Sequence, residues 1–336
     1  MRQIILKGRP DGMPSLDTFQ FINEDVPDRN QDEVLLKTLY LSVDPYMRGR
    51  MSDEPSYVKP FEVGKPLNGR IIAQVIESKV DKLKEGDIVT GIFPWQEYIV
   101  AFPNELRRLD VHELPISSAL GVLGTPGLTA YFGMYHIGEP KEGETVVVSS
   151  AAGAVGSIAG QLAQKRGARV VGIVGSRTKA DYIIETLGFD DAVNYKNEDV
   201  GKGLKTKCPD GIDVYFENVG GEISDDVWPL LNTFARVPLC GAISAYNLAS
   251  DEEDIGTRVQ WPFLKARIKM QGFIVGDYSE HFSDAYKELT QLVKKDELHF
   301  EETILEGFDR VPEAFIGLFS GDNIGKQLVK VAEPDK

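Results

Sequence analysis

Apolar positions in the first 110 or so residues recur in short runs with the period of strands. The segments 33–43 (EVLLKTLYLSV), 69–78 (GRIIAQVIES), 87–93 (DIVTGIF) and 96–102 (QEYIVAF) are rich in β-branched and aromatic residues, with Gly and Pro between them. They predict a small, mainly antiparallel β domain. From about residue 120 the rhythm changes to strand alternating with helix. TVVVSS (145–150) leads into SIAGQLAQKRG (157–167), where Ile158, Leu162 and Ala163 fall at helical spacing and Gly167 is a stop signal. ARVVGIVG (168–175) follows as a strand, then TKADYIIETLGF (178–189) as a helix, with Thr178 as its cap and Gly188 as its terminator. Further strands are expected at 191–195, 212–219, 235–244 (ARVPLCGAIS) and 269–276 (KMQGFIVG). The segment 281–293 is an amphipathic helix burying Phe282, Ala285, Tyr286, Leu289, Leu292 and Val293. Repeated strand–helix units imply a doubly wound parallel sheet with helices on both faces, an α/β fold of Rossmann type. The tail, QLVKVAE, is again strand-like and is placed to rejoin the first domain.

Length and composition narrow the function classes. The 336 residues suggest about two domains. With 37 Lys and Arg against 52 Asp and Glu, the formal charge is −15, which disfavours nucleic acid and anionic membranes as partners. Two cysteines, Cys208 and Cys240, form no framework and suit a reducing compartment. The start, MRQIILKGRPDG, lacks the apolar run of a secretory signal. Residues 145–164 carry no charge over 20 positions, nearly the length of a bilayer span. They divide, however, into a β-branched run, a Ser/Ala/Gly turn and an Ala-rich stretch with two glutamines, so strand, turn and helix describe them better. The expectation is a soluble cytoplasmic protein.

The sharpest local signal is AAGAVG (151–156), lying between a hydrophobic strand and a helix. Gly153 allows a pyrophosphate to approach the backbone, and Gly156 allows close packing of helix on strand. Ala151 takes the place of the usual first glycine. Amides at 154–157, at the helix N-terminus, are placed to face phosphates. At the end of the second strand, a domain that reads NADH carries Asp or Glu for the ribose 2′-hydroxyl. Here the sequence runs Gly175, Ser176, Arg177, Thr178, Lys179, with no acid before Asp181. A hydroxyl and two cations bind a 2′-phosphate, which favours NADP(H).

Several chemistries are disfavoured. Of the four histidines (His112, His136, His281, His299), none forms an HExxH pair or lies beside a cysteine at zinc-ligand spacing, so no metal is expected. No serine sits in a GxSxG elbow. None of the twelve tyrosines has a lysine four positions later, which removes the Tyr/Lys pair of short-chain dehydrogenases. Without a metal or a basic histidine, the easier hydride transfer is to a carbon polarised by conjugation. A hydrogen-bond donor at the carbonyl oxygen is then needed, and a neutral tyrosine suits it.

At this point the chain resembles the zinc-free medium-chain dehydrogenase/reductases, in the branch of prostaglandin reductases, alkenal double-bond reductases and curcumin reductases. The motifs that carry the resemblance include LSVDPYMRGRM (41–51), DEPSY (53–57), GTPGLTAYFG (124–133), FENVGG (216–221), CGAISAYN (240–247), MQGFIVGDY (270–278) and GDNIGKQLVKV (321–331). The resemblance implies a GroES-like β-rich catalytic domain (1–123 plus 301–336), a Rossmann cofactor domain (124–300), and a dimer through edge strands of the Rossmann sheet. It implies cofactor contacts from Thr125 and the Gly153/Ala154/Val155 loop, with Lys179 and Tyr195 at the 2′-phosphate. Asn218 corresponds to a position near the ribose or diphosphate and Asn323 to one at the nicotinamide end. Cys240 and Phe273 to Val275 line the nicotinamide region in relatives. Arg177 rests on charge alone. For catalysis it implies Tyr246, followed by Asn247, as the donor to the substrate carbonyl, with Tyr57 as a second active-site tyrosine and Tyr46 and Met47 in the wall.

The expected activity is NADPH-dependent reduction of the carbon–carbon double bond of α,β-unsaturated ketones and aldehydes. Two other readings share the fold: a quinone reductase, and a protein that binds NADPH without turnover, such as a sensor.

Overall fold

The computed structural model describes residues 1–110 and 114–335, so His112 lies outside the described residues. Its strands are β1 (Arg2–Leu6), β2 (Phe19–Asn23), β3 (Val34–Ser42), β4 (Asn68–Ser78), β5 (Ile88–Pro94), β6 (Tyr98–Ala101) and β7 (Arg107–Arg108), then β8 (Thr145–Ser149), β9 (Arg169–Val174), β10 (Asp191–Asn194), β11 (Ile212–Phe216), β12 (Leu231–Leu239) and β13 (Lys269–Gly272), and finally β14 (Glu302–Glu306) and β15 (Lys326–Lys330).

β8 to β13 form one sheet in the order β10-β9-β8-β11-β12-β13, with every neighbouring pair parallel. β8 reads TVVVS and all five of its residues are buried, the unbroken apolar run required of a strand covered on both faces. The chain winds outward from β8 to β10, then crosses back to lay down β11 to β13 on the other side. Loops leaving the carboxyl ends of β8 and β11 therefore diverge, and a crevice opens where the winding reverses.

The remaining large sheet is mixed, in the order β14-β15-β3-β4-β5-β7, with β6 also paired to β3. The tail does return: β15 runs antiparallel to β3, with Leu328 opposite Ser42, and parallel to β14. The helix Val311–Ser320 accompanies it, an element the hydrophobic pattern does not predict, and sends Phe315 against Phe19 and Trp95. Burying a ring of that size contributes about 1.5–3 kcal/mol, so the C-terminal segment supplies part of the core of the N-terminal sheet.

Several boundaries differ from expectation: the strands expected over 212–219 and 269–276 end at Phe216 and Gly272, the second giving way to a 3₁₀ turn at Val275–His281. The helix after β9 begins at Arg177 and its cap is Ser176, whose Oγ accepts from Lys179 N at 3.2 Å; Thr178 already lies inside the first turn. The strand expected over 235–244 spans Leu231–Leu239 instead, because the N–H groups of Cys240 and Gly241 both donate to Glu217 O and turn the chain out of the sheet. Residues 145–164 divide into β8, a turn and the helix Gly156–Gln164. Among the described residues no helix is long and apolar enough to cross a membrane.

Candidate active site

The turn after β8 is built of backbone. Ser150 has φ +52°, a left-handed conformation rare for a residue with a side chain. Ala151 and Ala152 are buried beneath the turn, and Gly153 N donates to Ser150 O at 2.9 Å. A Cβ on Gly153 would lie 3.0 Å from Ser150 Oγ; one on Gly156 would lie 2.4 Å from Ser150 O, a backbone atom that cannot move aside. Gly156 thus lets the helix start against its own turn. Packing of that helix on its neighbours falls to Gly160, where a Cβ would meet the Phe189 ring at 2.0 Å. Ala154 and Val155 are half-buried at the helix start, where N–H groups without intrahelical partners collect; the Ser157 amide, expected among them, donates instead to Gly153 O at 3.1 Å. Thr125, also half-buried, opens the helix Thr125–Phe132.

At the end of β9 the side chains take over. Lys179 is half-buried and its Nζ donates to Gly321 O at 2.7 Å. Its pKa is lowered, first by burial and then by the charge of Lys196, with Asp322 opposing. Tyr195 is exposed, and its ring lies over Gly175, where a Cβ would meet Tyr195 Oη at 2.9 Å. Two lysines that repel each other beside a tyrosine and the Ser176 hydroxyl make a ready anion site. Arg177 points elsewhere: its Nε bonds Asp181 Oδ1 at 2.7 Å and its side chain is 85% exposed.

The loop after β11 closes the other side of the crevice. Asn218 Nδ2 donates to Ser149 O at 2.7 Å, and Asn218 N donates to Ser149 Oγ at 2.8 Å. Beneath it Glu217 is buried and accepts from Ser149 Oγ, Val219 N, Gly220 N and Ser224 Oγ. The C-terminal segment docks on the same turn, since Gly325 N donates to Ala152 O at 2.8 Å. Asn323 there folds its amide back onto Gly325 O at 2.7 Å. Phe273 and Val275 are half-buried against the core of the parallel sheet. Burial and the nearby Glu217 push the Cys240 thiol up to about 12, so it stays protonated and unreactive. The glycine cradle and the paired lysines together fit a dinucleotide carrying a 2′-phosphate.

Three tyrosines lie close to one another: Tyr57 is near both Tyr46 and Tyr246. Tyr246 follows the short 3₁₀ turn Ile243–Ala245 and is half-buried. Its oxygen accepts from Ala242 N at 3.4 Å, and among the described residues its own proton has no acceptor. Burial raises its pKa above the ordinary 10.0, so it is a neutral donor at neutral pH. Tyr57 is 64% exposed, and its pKa is raised, first by partial burial and then by the neighbouring Tyr246 and Cys240. Tyr46 is half-buried and its pKa is pushed up to about 12 by burial, with Asp44 adding to the rise and Tyr57 also contributing. Met47 has no exposed surface: it lies behind the wall in the core of the mixed sheet, where a Cβ on Gly69 would meet its Cε at 2.8 Å. Asn247 turns to Arg48, whose Nε donates to Asn247 Oδ1 at 3.1 Å.

Residues 2–109 match a family model described as the N-terminal domain of oxidoreductase, and residues 154–295 one described as zinc-binding dehydrogenase. The chain is 56% identical over 334 residues to the oxidoreductase YfmJ of Bacillus subtilis, covering 99% of this chain and 98% of that one. It is 43% identical over 337 residues to the NADPH-dependent curcumin reductase of Escherichia coli, with coverage of 99% and 98%. The crystal structure of CurA in complex with NADPH from Vibrio vulnificus superposes with a TM-score of 0.94 at 42% identity, covering 99% of this chain and 100% of that one. The chain belongs to the zinc-independent medium-chain dehydrogenase/reductases. Within them it groups with the curcumin, alkenal and prostaglandin reductases.

One of the matched descriptions names zinc, yet among the described residues no three His, Cys, Asp or Glu side chains are placed to hold a metal ion. For this reductase the sequence reading missed Lys196, Glu217 and Gly160. Lys196 adjoins the quoted Tyr195, and Glu217 is an acid directly after an apolar strand, so both carried a signal. Gly160 carried none, because its need depends on where Phe189 lands.

Proposed function

We propose that this protein reduces the carbon–carbon double bond of α,β-unsaturated ketones and aldehydes, using NADPH. The observation that carries the proposal is Tyr246: half-buried, neutral, its oxygen anchored by Ala242 N and its proton free. NADPH supplies the hydride that reaches the β carbon. Negative charge then grows on the carbonyl oxygen, and Tyr246 donates a hydrogen bond to it there, an arrangement that lowers the barrier because the donor is already oriented; a proton from Tyr246 or solvent added at the α carbon of the enolate completes the reduction. Tyr57 is the second donor in this reading, and Tyr46 and Asn247 border the substrate. Ser176, Lys179 and Tyr195, with Lys196 behind them, take the 2′-phosphate; Gly153, Ala154, Val155 and Gly156 take the diphosphate. Thr125, Asn218, Cys240, Phe273, Val275 and Asn323 surround the rest of the cofactor.

The names of the relatives support the chemistry, since curcumin and 2-alkenals both carry a double bond conjugated to a carbonyl. A cytoplasmic homodimer belongs to the same reading. Two free thiols suit a reducing compartment, and the parallel sheet ends on the exposed edge strand β13 with Phe234 open beside it. The test is Tyr246→Phe assayed on a conjugated ketone with product mass identified. Losing one oriented donor is expected to lower kcat by about 100- to 1000-fold, while the Kd for NADPH stays within about twofold of wild type. Unchanged turnover would remove Tyr246 from the chemistry, and quinol as the sole product of the wild type would point to a quinone reductase.

A further inference from the structure

We propose that the 3₁₀ turn Pro45–Met51 is a two-armed positioning element: Arg48 holds the turn carrying Tyr246, and Arg50 holds the segment carrying Tyr57. The proposal rests on the reading of those tyrosines as the substrate donors. A 3₁₀ turn has three residues per revolution, so positions 48 and 50 point to different sides.

Arg48 is buried, 6% exposed, and among the described residues no carboxylate lies within ion-pair distance of it. Its Nη2 donates to Gly12 O at 2.8 Å and Pro10 O at 3.3 Å, and its Nε donates to Asn247 Oδ1. A buried charge is costly unless its hydrogen bonds are satisfied, so these acceptors fix the guanidinium. Through Asn247 the fixed group ties the chain next to Tyr246 to the opposite half of the molecule. A second tie lies beside it, where Ser250 N and Oγ donate to Asp11 Oδ1 and Oδ2 at 2.7 and 3.0 Å.

Arg50 reaches the other way. Its Nε donates to Lys59 O at 2.9 Å, its Nη1 to Asn68 Oδ1 at 2.7 Å, and its guanidinium lies 3.9 Å from the centre of the Phe61 ring. Phe61 N in turn donates to Arg50 O at 2.6 Å. Residues 53–60, Tyr57 among them, have no regular structure and make no such backbone bonds of their own among the described residues. Their anchorage lies at Lys59 and Phe61 on the side after Tyr57, and at Asp53, 3.7 Å from Arg9, on the side before it. The turn carrying Tyr246 is tied to the loop after β11 by Ser244 N and Oγ, which donate to Val219 O at 2.9 and 2.7 Å, and Arg48 adds its tie to the mixed-sheet half; the Tyr57 hydroxyl has no hydrogen bond among the described residues.

Both tyrosines are chymotrypsin sites, and proteolysis reports local opening. In the full-length protein without cofactor, Arg48→Met is expected to speed cleavage after Tyr246 about fivefold or more while cleavage after Tyr57 changes by less than about twofold, since hydrogen bonds to a charged group are strong. Arg50→Met is expected to do the reverse. Each is expected to lower kcat on an enone about tenfold or more, with the Kd for NADPH within about twofold. Asn247→Asp, which keeps an acceptor for Arg48, should leave the Tyr246 cleavage rate near wild type, whereas Asn247→Leu should raise it. That pair also decides the matter if Arg48→Met fails to fold. Equal acceleration at both tyrosines, no acceleration, or faster cleavage with unchanged kcat would each overturn the proposal. A wild type that reduces no enone would instead sink the functional reading, and the cleavage pattern would still judge the anchors.

Discussion

The two walls of the candidate site are made differently. On the parallel-sheet side the wall is backbone: a left-handed Ser150, a glycine where a Cβ would stand only 2.4 Å from Ser150 O, and a helix N-terminus. On the other side it is side chain: tyrosines on irregular segments, held by arginines that are themselves held by carbonyl oxygens. A backbone wall suits a cofactor that is the same in every turnover. A side-chain wall can change its substrate by changing a residue, without rebuilding a turn. The contrast predicts that substitutions on the first wall act through fold and cofactor binding together, and those on the second through turnover.

The largest effect expected from breaking the backbone wall is at Gly156. A valine there meets Ser150 O, which belongs to the turn itself, so relief requires moving the turn away from the helix. Overpacking of this kind costs about 3 kcal/mol. Gly156→Val should therefore lose stability in denaturant unfolding and lose NADPH binding in the same variant. Gly153→Ala, whose nearest neighbours are at 3.0 Å, should lose less of both. If Gly156→Val binds NADPH as wild type does, the wall is not limited by its backbone.

The same contrast explains what was legible in the sequence. A backbone wall writes itself as glycine at fixed spacing, so AAGAVG and the strand and helix around it were readable, as was the return of the tail to the first sheet. Caps were less so: Ser176 and Thr178 both carry the right hydroxyl, and only the extended conformation of Ser176 selects it. The side-chain wall was readable as a list of residues but not as an arrangement. DPYMRGRM does not reveal that Met47 faces the core while Arg48 reaches a residue 199 positions away. Such contacts are products of the fold, and a local pattern does not contain them. Glu302, whose carboxyl is raised in pKa by burial and has one unpartnered oxygen, is another example.

A smaller change separates the two ends of the cofactor wall. Lys179 is the half-buried cation proposed for the 2′-phosphate end, and a charge-assisted hydrogen bond there is worth about 1.5–3 kcal/mol. Lys179→Ala should weaken NADPH by roughly 10- to 100-fold and NADH by no more than about twofold. Equal weakening of both would remove Lys179 from cofactor discrimination. The wild-type preference should also depend on pH in a set direction. The phosphate gains its second charge near pH 6, so preference rises through that region. Burial and Lys196 hold the lysine below its ordinary 10.5, so its proton is lost earlier than an isolated lysine's and the preference falls again before that value. Lys179→Ala should flatten the alkaline fall, measured as the ratio of NADH to NADPH Kd.

Arg177 is the finest test of the contrast, because charge alone made it a candidate and geometry argues the other way. Its side chain is 85% exposed and paired with Asp181 one helical turn along. An exposed pair of this kind contributes about 0.5 kcal/mol, and a phosphate must compete with both Asp181 and water for the guanidinium. Arg177→Ala should thus weaken NADPH by no more than about threefold, well short of Lys179→Ala. A tenfold loss would mean that the guanidinium leaves Asp181 when the 2′-phosphate arrives. The 2′-phosphate end would then be a side-chain device like the opposite wall, and the boundary between the two kinds of construction would lie at the end of β9, not in the crevice.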